Sequence, residues 1–137
     1  MIQSTQSFIH YFDGIRKRTL NYVRLVPPDQ INWSPKEGEF TCADIVRHIA
    51  SGEKMFIGVV MQSKWKYAGH DGDQKSLDEL IAHLDQIHVE AMNALKALPD
   101  AELNQPRPAL EGDAPVKAWR WLMAMTGTSS SLASSLS

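Results

Sequence analysis

The chain has 137 residues, of which 14 are basic and 16 acidic, so its formal net charge is −2. This length is typical of one domain with its own core, and the balanced charge lacks the basic excess that nucleic-acid binding requires. No apolar run approaches the ~20 residues needed to cross a bilayer. The single cysteine excludes an intramolecular disulfide, and no cleavable apolar leader is evident. We therefore expect a cytoplasmic domain that binds neither nucleic acid nor membranes.

The first predicted helix covers residues 5–25, where apolar side chains recur at three- and four-residue steps. Two prolines, Pro27 and Pro28, end it, because proline lacks the amide that a continuing helix needs. The local basic cluster of Arg16, Lys17 and Arg18 is interpreted as the solvated face of this helix. In the connection that follows, Trp33 is expected to pack over the end of the protein core.

The second predicted helix is the best specified in the chain. Thr41 and Asp44 form a capping-box pattern at its start, and the helix is expected to end near Lys64. Six residues at helical spacing form its apolar stripe: Ile45, Ile49, Gly52, Phe56, Val59 and Val60. With a ~100° step per residue, His48 lies about 60° from the middle of this stripe. We expect its imidazole to face the interior or a cleft.

A third helix is predicted from the capping pair Ser76 and Glu79 to Pro99, after a loop rich in Gly and Asp. A fourth begins near Pro115, since proline is tolerated in a first helical turn. From residue 126 the sequence reads TGTSSSLASSLS, with six serines in twelve positions. We predict one helical domain over residues 1–125 and a flexible Ser-rich tail over residues 126–137.

Four helices with few strand signals predict an all-α four-helix bundle. The predicted connections are long for a bundle in which each helix packs against the next one in the chain. A topology with a crossover connection is therefore favoured over the simplest up-and-down arrangement.

His48 is the first candidate for a functional residue, with two interpretations that the sequence leaves open. It is either a metal ligand or a histidine at the edge of the core that bonds to a carbonyl or carboxylate. One histidine does not make a zinc site, which normally needs three protein ligands and a water. Glu53 is interpreted either as a structural partner or support for a metal ligand, or as a solvated carboxylate.

The remaining candidates have weaker support from spacing. His88 either faces His48 across the bundle or lies at its boundary, and His83 is on the same helix. Cys42 is either a small buried residue or a thiol whose pKa is lowered by the positive end of its helix. The loop residues Trp65, Tyr67 and His70 either rim a pocket or cap the core.

The segment INWSPKEGEFTCADIVRHIASGEKMF resembles the DinB/YfiT-like family, in the Trp33-Ser34-Pro35 lead-in and in the helix that carries His48 and Glu53. LKALPDAELNQP and VKAWRWLMAM extend the resemblance over roughly residues 8–125. The resemblance implies a four-helix bundle, usually a homodimer, with zinc or nickel bound by three histidines. One of these matches His48, and two come from an H-x3-H pair on the fourth helix.

The chain departs from the family in this H-x3-H pair. It would fall around positions 128–132, where the sequence has TSSSL and no histidine. Only His48 is therefore carried over as a metal ligand, and the site is expected to be incomplete. Serine codons read one base out of phase can encode histidine, so we hypothesise a shifted reading frame here, which sequencing the gene would test.

The resemblance implies a protein related to metal-dependent thiol transferases or hydrolases, with a thiol or another small molecule as substrate. Because the histidine site is incomplete, we expect little activity from this chain. The alternative is a non-enzymatic, stress-associated or interaction bundle that acts as a homodimer, in which His48 is structural.

Overall fold

A computed structural model describes residues 2–34, 36, 38–67, 69, 72–110, 112–134 and 136. Its four long helices are α1 (Thr5–Arg24), α2 (Cys42–Gln62), α3 (Leu77–Leu95) and α4 (Ala118–Ser134). They form the predicted all-α four-helix bundle. None of the helices in the described part of the chain is both long and apolar enough to cross a membrane.

Two short 3₁₀ helices and one small sheet lie in the connections. The 3₁₀ helices are Pro28–Gln30 and Asp100–Asn104. Strands β1 (Pro106–Arg107) and β2 (Val116–Lys117) pair antiparallel immediately before α4. The sequence predicted neither strand, and the residues after Pro115 pair in β2 before the helix starts.

The predicted caps form, with one change of partner. Thr41 accepts a hydrogen bond from the Asp44 amide, and the Asp44 carboxylate accepts one from the Thr41 amide, both at 3.1 Å. At α3 the Ser76 hydroxyl accepts from the Glu79 amide, but the Glu79 carboxylate accepts from Lys75 instead of Ser76. Each cap satisfies amides that the first helical turn leaves unpaired.

Helix α2 packs most extensively against α3 and α4, and α1 contacts the same two helices. Contacts at both ends establish the helix directions. Arg47, near the start of α2, bonds Gln74, just before α3, so α2 and α3 run parallel. Thr5, at the start of α1, bonds Asp100, just after α3, so α1 runs antiparallel to them. A parallel neighbour requires the long crossover connection that the sequence favoured.

Helix α4 runs antiparallel to α2. Trp121, in its first turn, packs against Phe56 in the second half of α2, with ring centroids 6.2 Å apart. Leu132, near its other end, packs against the cluster that contains Val46 and Ile49 from the first half of α2. The segment around residues 128–132 therefore lies level with the start of α2.

The structure continues α4 past the boundary predicted after residue 125. Residues 126–134 are helical, and Ser129 and Ala133 are buried there. Small side chains allow close packing against α2, so this segment adds to the bundle without a large apolar stripe. The flexibility that the sequence predicts for it stays a prediction.

Trp33 does not pack over the end of the core as predicted, since it is 62% exposed. Ile31 is buried in the same connection instead, and its carbonyl accepts a hydrogen bond from the Ala43 amide at 2.9 Å. The smaller aliphatic side chain thus covers the core next to the start of α2.

Candidate functional site

His48 lies half-buried in the first half of α2, beside the crossover connection between α2 and α3. This connection runs back along α2, and Tyr67 in it is hydrogen-bonded to Nδ1 of His48. The two rings meet edge to face with centroids 5.4 Å apart. Burial raises the pKa of the Tyr67 phenol. The phenol therefore keeps its proton at neutral pH.

The side chains around His48 do not fit a three-histidine metal centre. Within the described ranges, no group of three or more His, Cys, Asp or Glu side chains is close enough to bind one ion. Tyr67 adds one oxygen beside His48, which does not make up a set of three imidazoles. The structure places residues 128–132 level with His48, where the family resemblance implied two histidines, but these residues are threonine, serines and leucine. His70 lies outside the described residues.

Glu53 and His88 form their hydrogen bonds with residues other than His48. They belong to a separate buried network that joins three helices. On α2, one carboxylate oxygen of Glu53 pairs with Nη2 of Arg16 from α1, and the other lies 2.8 Å from Nδ1 of His88 on α3. Nε2 of His88 lies 2.6 Å from a carboxylate oxygen of Asp13. The solvated-carboxylate interpretation of Glu53 is therefore wrong, and its role as a structural partner fits the structure.

The network is balanced in charge when His88 is protonated. Burial lowers the pKa of His88, but the hydrogen bond and charge of Glu53, and the hydrogen bond of Asp13, raise it by more, so the net shift is upward. A carboxylate at each ring nitrogen requires both nitrogens to donate, which is the protonated form. The cations Arg16 and His88 then face the anions Glu53 and Asp13, and these ion pairs link α1, α2 and α3.

Arg16 was predicted to lie on a solvated face, and this prediction is wrong. Its side chain is 1% exposed and its guanidinium lies over the Phe12 ring, 5.3 Å from the centroid. Lys17 and Arg18 are exposed as predicted. The spacing of the sequence indicated that Arg16 is buried. Position 16 is four residues from both Phe12 and Leu20 and so falls in the apolar stripe of α1.

The surroundings of the other candidate residues, Cys42, Trp65 and His83, fit structural roles. Burial raises the pKa of the half-buried Cys42 thiol, contrary to the activated-thiol interpretation, which required a lowered pKa. Trp65 caps the core, since it packs edge to face on Trp121 with centroids 4.8 Å apart and donates to the Pro108 carbonyl at 2.9 Å. His83 is half-buried, and its pKa is lowered by burial and by the charges of Arg47 and Lys54.

Comparison with known proteins agrees with this architecture. The DinB superfamily model matches residues 11–127. A DinB-like protein from Bacillus cereus ATCC 10987 has a similar structure, with a TM-score of 0.86, 12% sequence identity, and coverage of 99% of this chain and 90% of that one. A DinB-like protein from Bacillus subtilis has a TM-score of 0.77 at 15% identity, over 95% of this chain and 86% of its own. These identities are low enough that the two structures show the fold alone.

No curated protein is significantly similar to the chain in sequence. The family match itself covers most of the chain, from within α1 into α4, and ends at residue 127. It thus contains His48 and stops one position before the segment where the H-x3-H pair was expected. On this match and on its four-helix fold, the chain belongs to the DinB superfamily.

Proposed function

We propose that this chain is a DinB-superfamily bundle with a single metal-binding histidine, His48, and with little or no metal-dependent thiol transferase or hydrolase activity. One observation carries the proposal. The part of α4 that lies level with His48 has no imidazole, carboxylate or thiol between positions 128 and 132. With His48 as its one ligand among the described residues, zinc or nickel would take other ligands from water, so the ion would bind weakly.

Metal analysis of the purified protein after incubation with zinc or nickel tests this proposal. We expect less than one ion per chain after dialysis, and no turnover of a thiol conjugate in the presence of either metal. The residual uptake should disappear in His48→Ala with little change in melting temperature, whereas the exposed His10→Ala should behave like the parent protein. Retention of one ion per chain together with turnover would contradict the proposal.

The competing function is a non-enzymatic interaction bundle that acts as a homodimer. It is favoured by an apolar face where α1 meets α4, on which Tyr11 is 52% and Met123 is 39% exposed beside a cavity of about 320 Å³. In this case His48 is structural through its bond to Tyr67. His48→Ala would then lower the melting temperature strongly without changing metal uptake, and sedimentation would detect a dimer.

A further inference from the structure

A second cavity lies away from His48, in a groove between the second halves of α2 and α3. Its volume is about 290 Å³. Its apolar walls come from Ile57 and Met61 on α2 and from Ile87 and Ala91 on α3. Because these two helices run parallel and in contact, a concave seam forms where the facing side chains are short. Gly58 is one such position.

The rim of this groove is strongly basic. Lys54, Lys64 and Lys66 line it, and Glu90 is the only acidic residue that does so among the described residues. None of the three lysines takes part in an ion pair within the described ranges. The chain as a whole has a formal charge of −2, so the local excess of positive charge does not follow from composition. An apolar groove with a cationic rim is complementary to a molecule with an apolar body and one anionic end.

We propose that the groove binds a medium-chain carboxylate, with its alkyl chain between α2 and α3 and its carboxylate near Lys64 and Lys66. The volume of about 290 Å³ lies just below the roughly 300–1,000 Å³ range of small-molecule pockets, so it fits one short alkyl chain better than a two-chain lipid. A second copy of the protein is the competing occupant of the groove, and the oligomeric state tests it below.

Titration of the full chain with decanoate, followed by calorimetry, tests the proposal. We expect saturable binding of one molecule per chain that weakens as salt is added, because the charge attraction is screened. Decanol, which has the same alkyl chain without the charge, should bind more weakly. No saturable binding of decanoate, or equal binding of the two molecules, would overturn the proposal.

Two variants assign the binding to the groove. Lys64→Gln combined with Lys66→Gln should weaken decanoate binding about three- to tenfold, the range expected for exposed ion pairs. Ala94→Leu, at an exposed position in the groove, should weaken it by filling the space. The matched control is Lys75→Gln together with Lys96→Gln, which removes two exposed lysines outside the groove and should leave the affinity unchanged.

Equal binding by all these variants would place decanoate elsewhere and overturn the proposal. A dimer that Ala94→Leu dissociates would also overturn it, because a second copy would then be the occupant. Sedimentation of the parent protein and of Ala94→Leu distinguishes this outcome from ligand binding.

Discussion

At the scale of single residues, His88 is the group whose charge depends most directly on its neighbours. It lies between the carboxylates of Glu53 and Asp13, and Arg16 pairs with the other oxygen of Glu53. Loss of the His88 proton would leave two carboxylates and one guanidinium, of which Glu53 and Arg16 are almost completely buried. The folded protein therefore binds this proton more tightly than the unfolded chain does.

We predict that protonated His88 stabilises the protein and that this contribution is lost as the pH rises. The pKa of His88 in the folded state is raised above its ordinary value of 6.5. Its contribution to stability is thus fully present below that value and is lost as the pH rises through the raised pKa. The free energy of unfolding, measured with urea between about pH 6 and pH 8, should fall more steeply in the parent protein than in His88→Gln.

His83→Gln is the matched control, because the pKa of His83 is lowered in the folded state. His83 therefore destabilises the fold as the pH falls below the ordinary histidine value, which is the opposite direction. Its replacement should remove a loss of stability on the acid side. Equal pH dependence in the parent and in His88→Gln would contradict the charged network.

The buried network of Asp13, Arg16, Glu53 and His88 could be predicted only in part from the sequence. For Glu53 a structural role was one of the interpretations left open, and its partners come from two other helices, whose relative rotation no local pattern gives. Arg16 was predicted to be exposed to solvent because its two basic neighbours, Lys17 and Arg18, suggested a solvated helix face. Its place in the apolar stripe was the better guide, since the stripe determines what a helix buries.

At the scale of elements, α2 ends at a residue with an unfavourable backbone conformation. Ser63 has φ 57°, in the left-handed region, and its amide donates to the Val59 carbonyl at 3.0 Å. This geometry reverses the chain so that the crossover connection can run back along α2. Glycine is the usual residue at such a position, because a side chain there is strained.

Ser63→Gly should therefore raise the free energy of unfolding by up to about 1 kcal/mol, measured by urea denaturation. Ser51→Gly, within the same helix, is the control and should lower it by about 0.5 kcal/mol, because glycine is a poorer helix former than serine. A loss of stability in Ser63→Gly would show that the left-handed end of α2 does not persist in solution.

The elements themselves were largely predictable, for identifiable reasons. The starts of α2 and α3 follow from the Thr41 and Ser76 caps, and periodic apolar residues gave the first three helices to within a few residues at each end. The second half of α4 could not be predicted in this way. Its serines carry no hydrophobic period, yet the segment is helical and small residues such as Ser129 and Ala133 are buried in the bundle.

At the scale of the whole molecule, the parallel pair of α2 and α3 brings the candidate site together. A parallel pair needs a connection along the bundle, and this connection delivers Tyr67 to His48. The antiparallel α4 then places residues 128–132 level with the same histidine. Residues 128–132 and His48 thus lie at the same level of the bundle, while the described side chains around His48 offer too few metal ligands.

We propose that a metal site at His48 lacks only the ligands on α4, so that adding two histidines there should restore metal binding. Thr128→His combined with Leu132→His places an H-x3-H pair on α4, at an exposed and a half-buried position. We predict that the double variant binds one zinc ion per chain at least about 100-fold more tightly than the parent, about 2.8 kcal/mol in binding free energy, by calorimetry. This gain should be lost when His48→Ala is added. A double variant that folds and gains no affinity, or a parent protein that already binds zinc as tightly, would show that α4 does not lack the ligands of a site at His48.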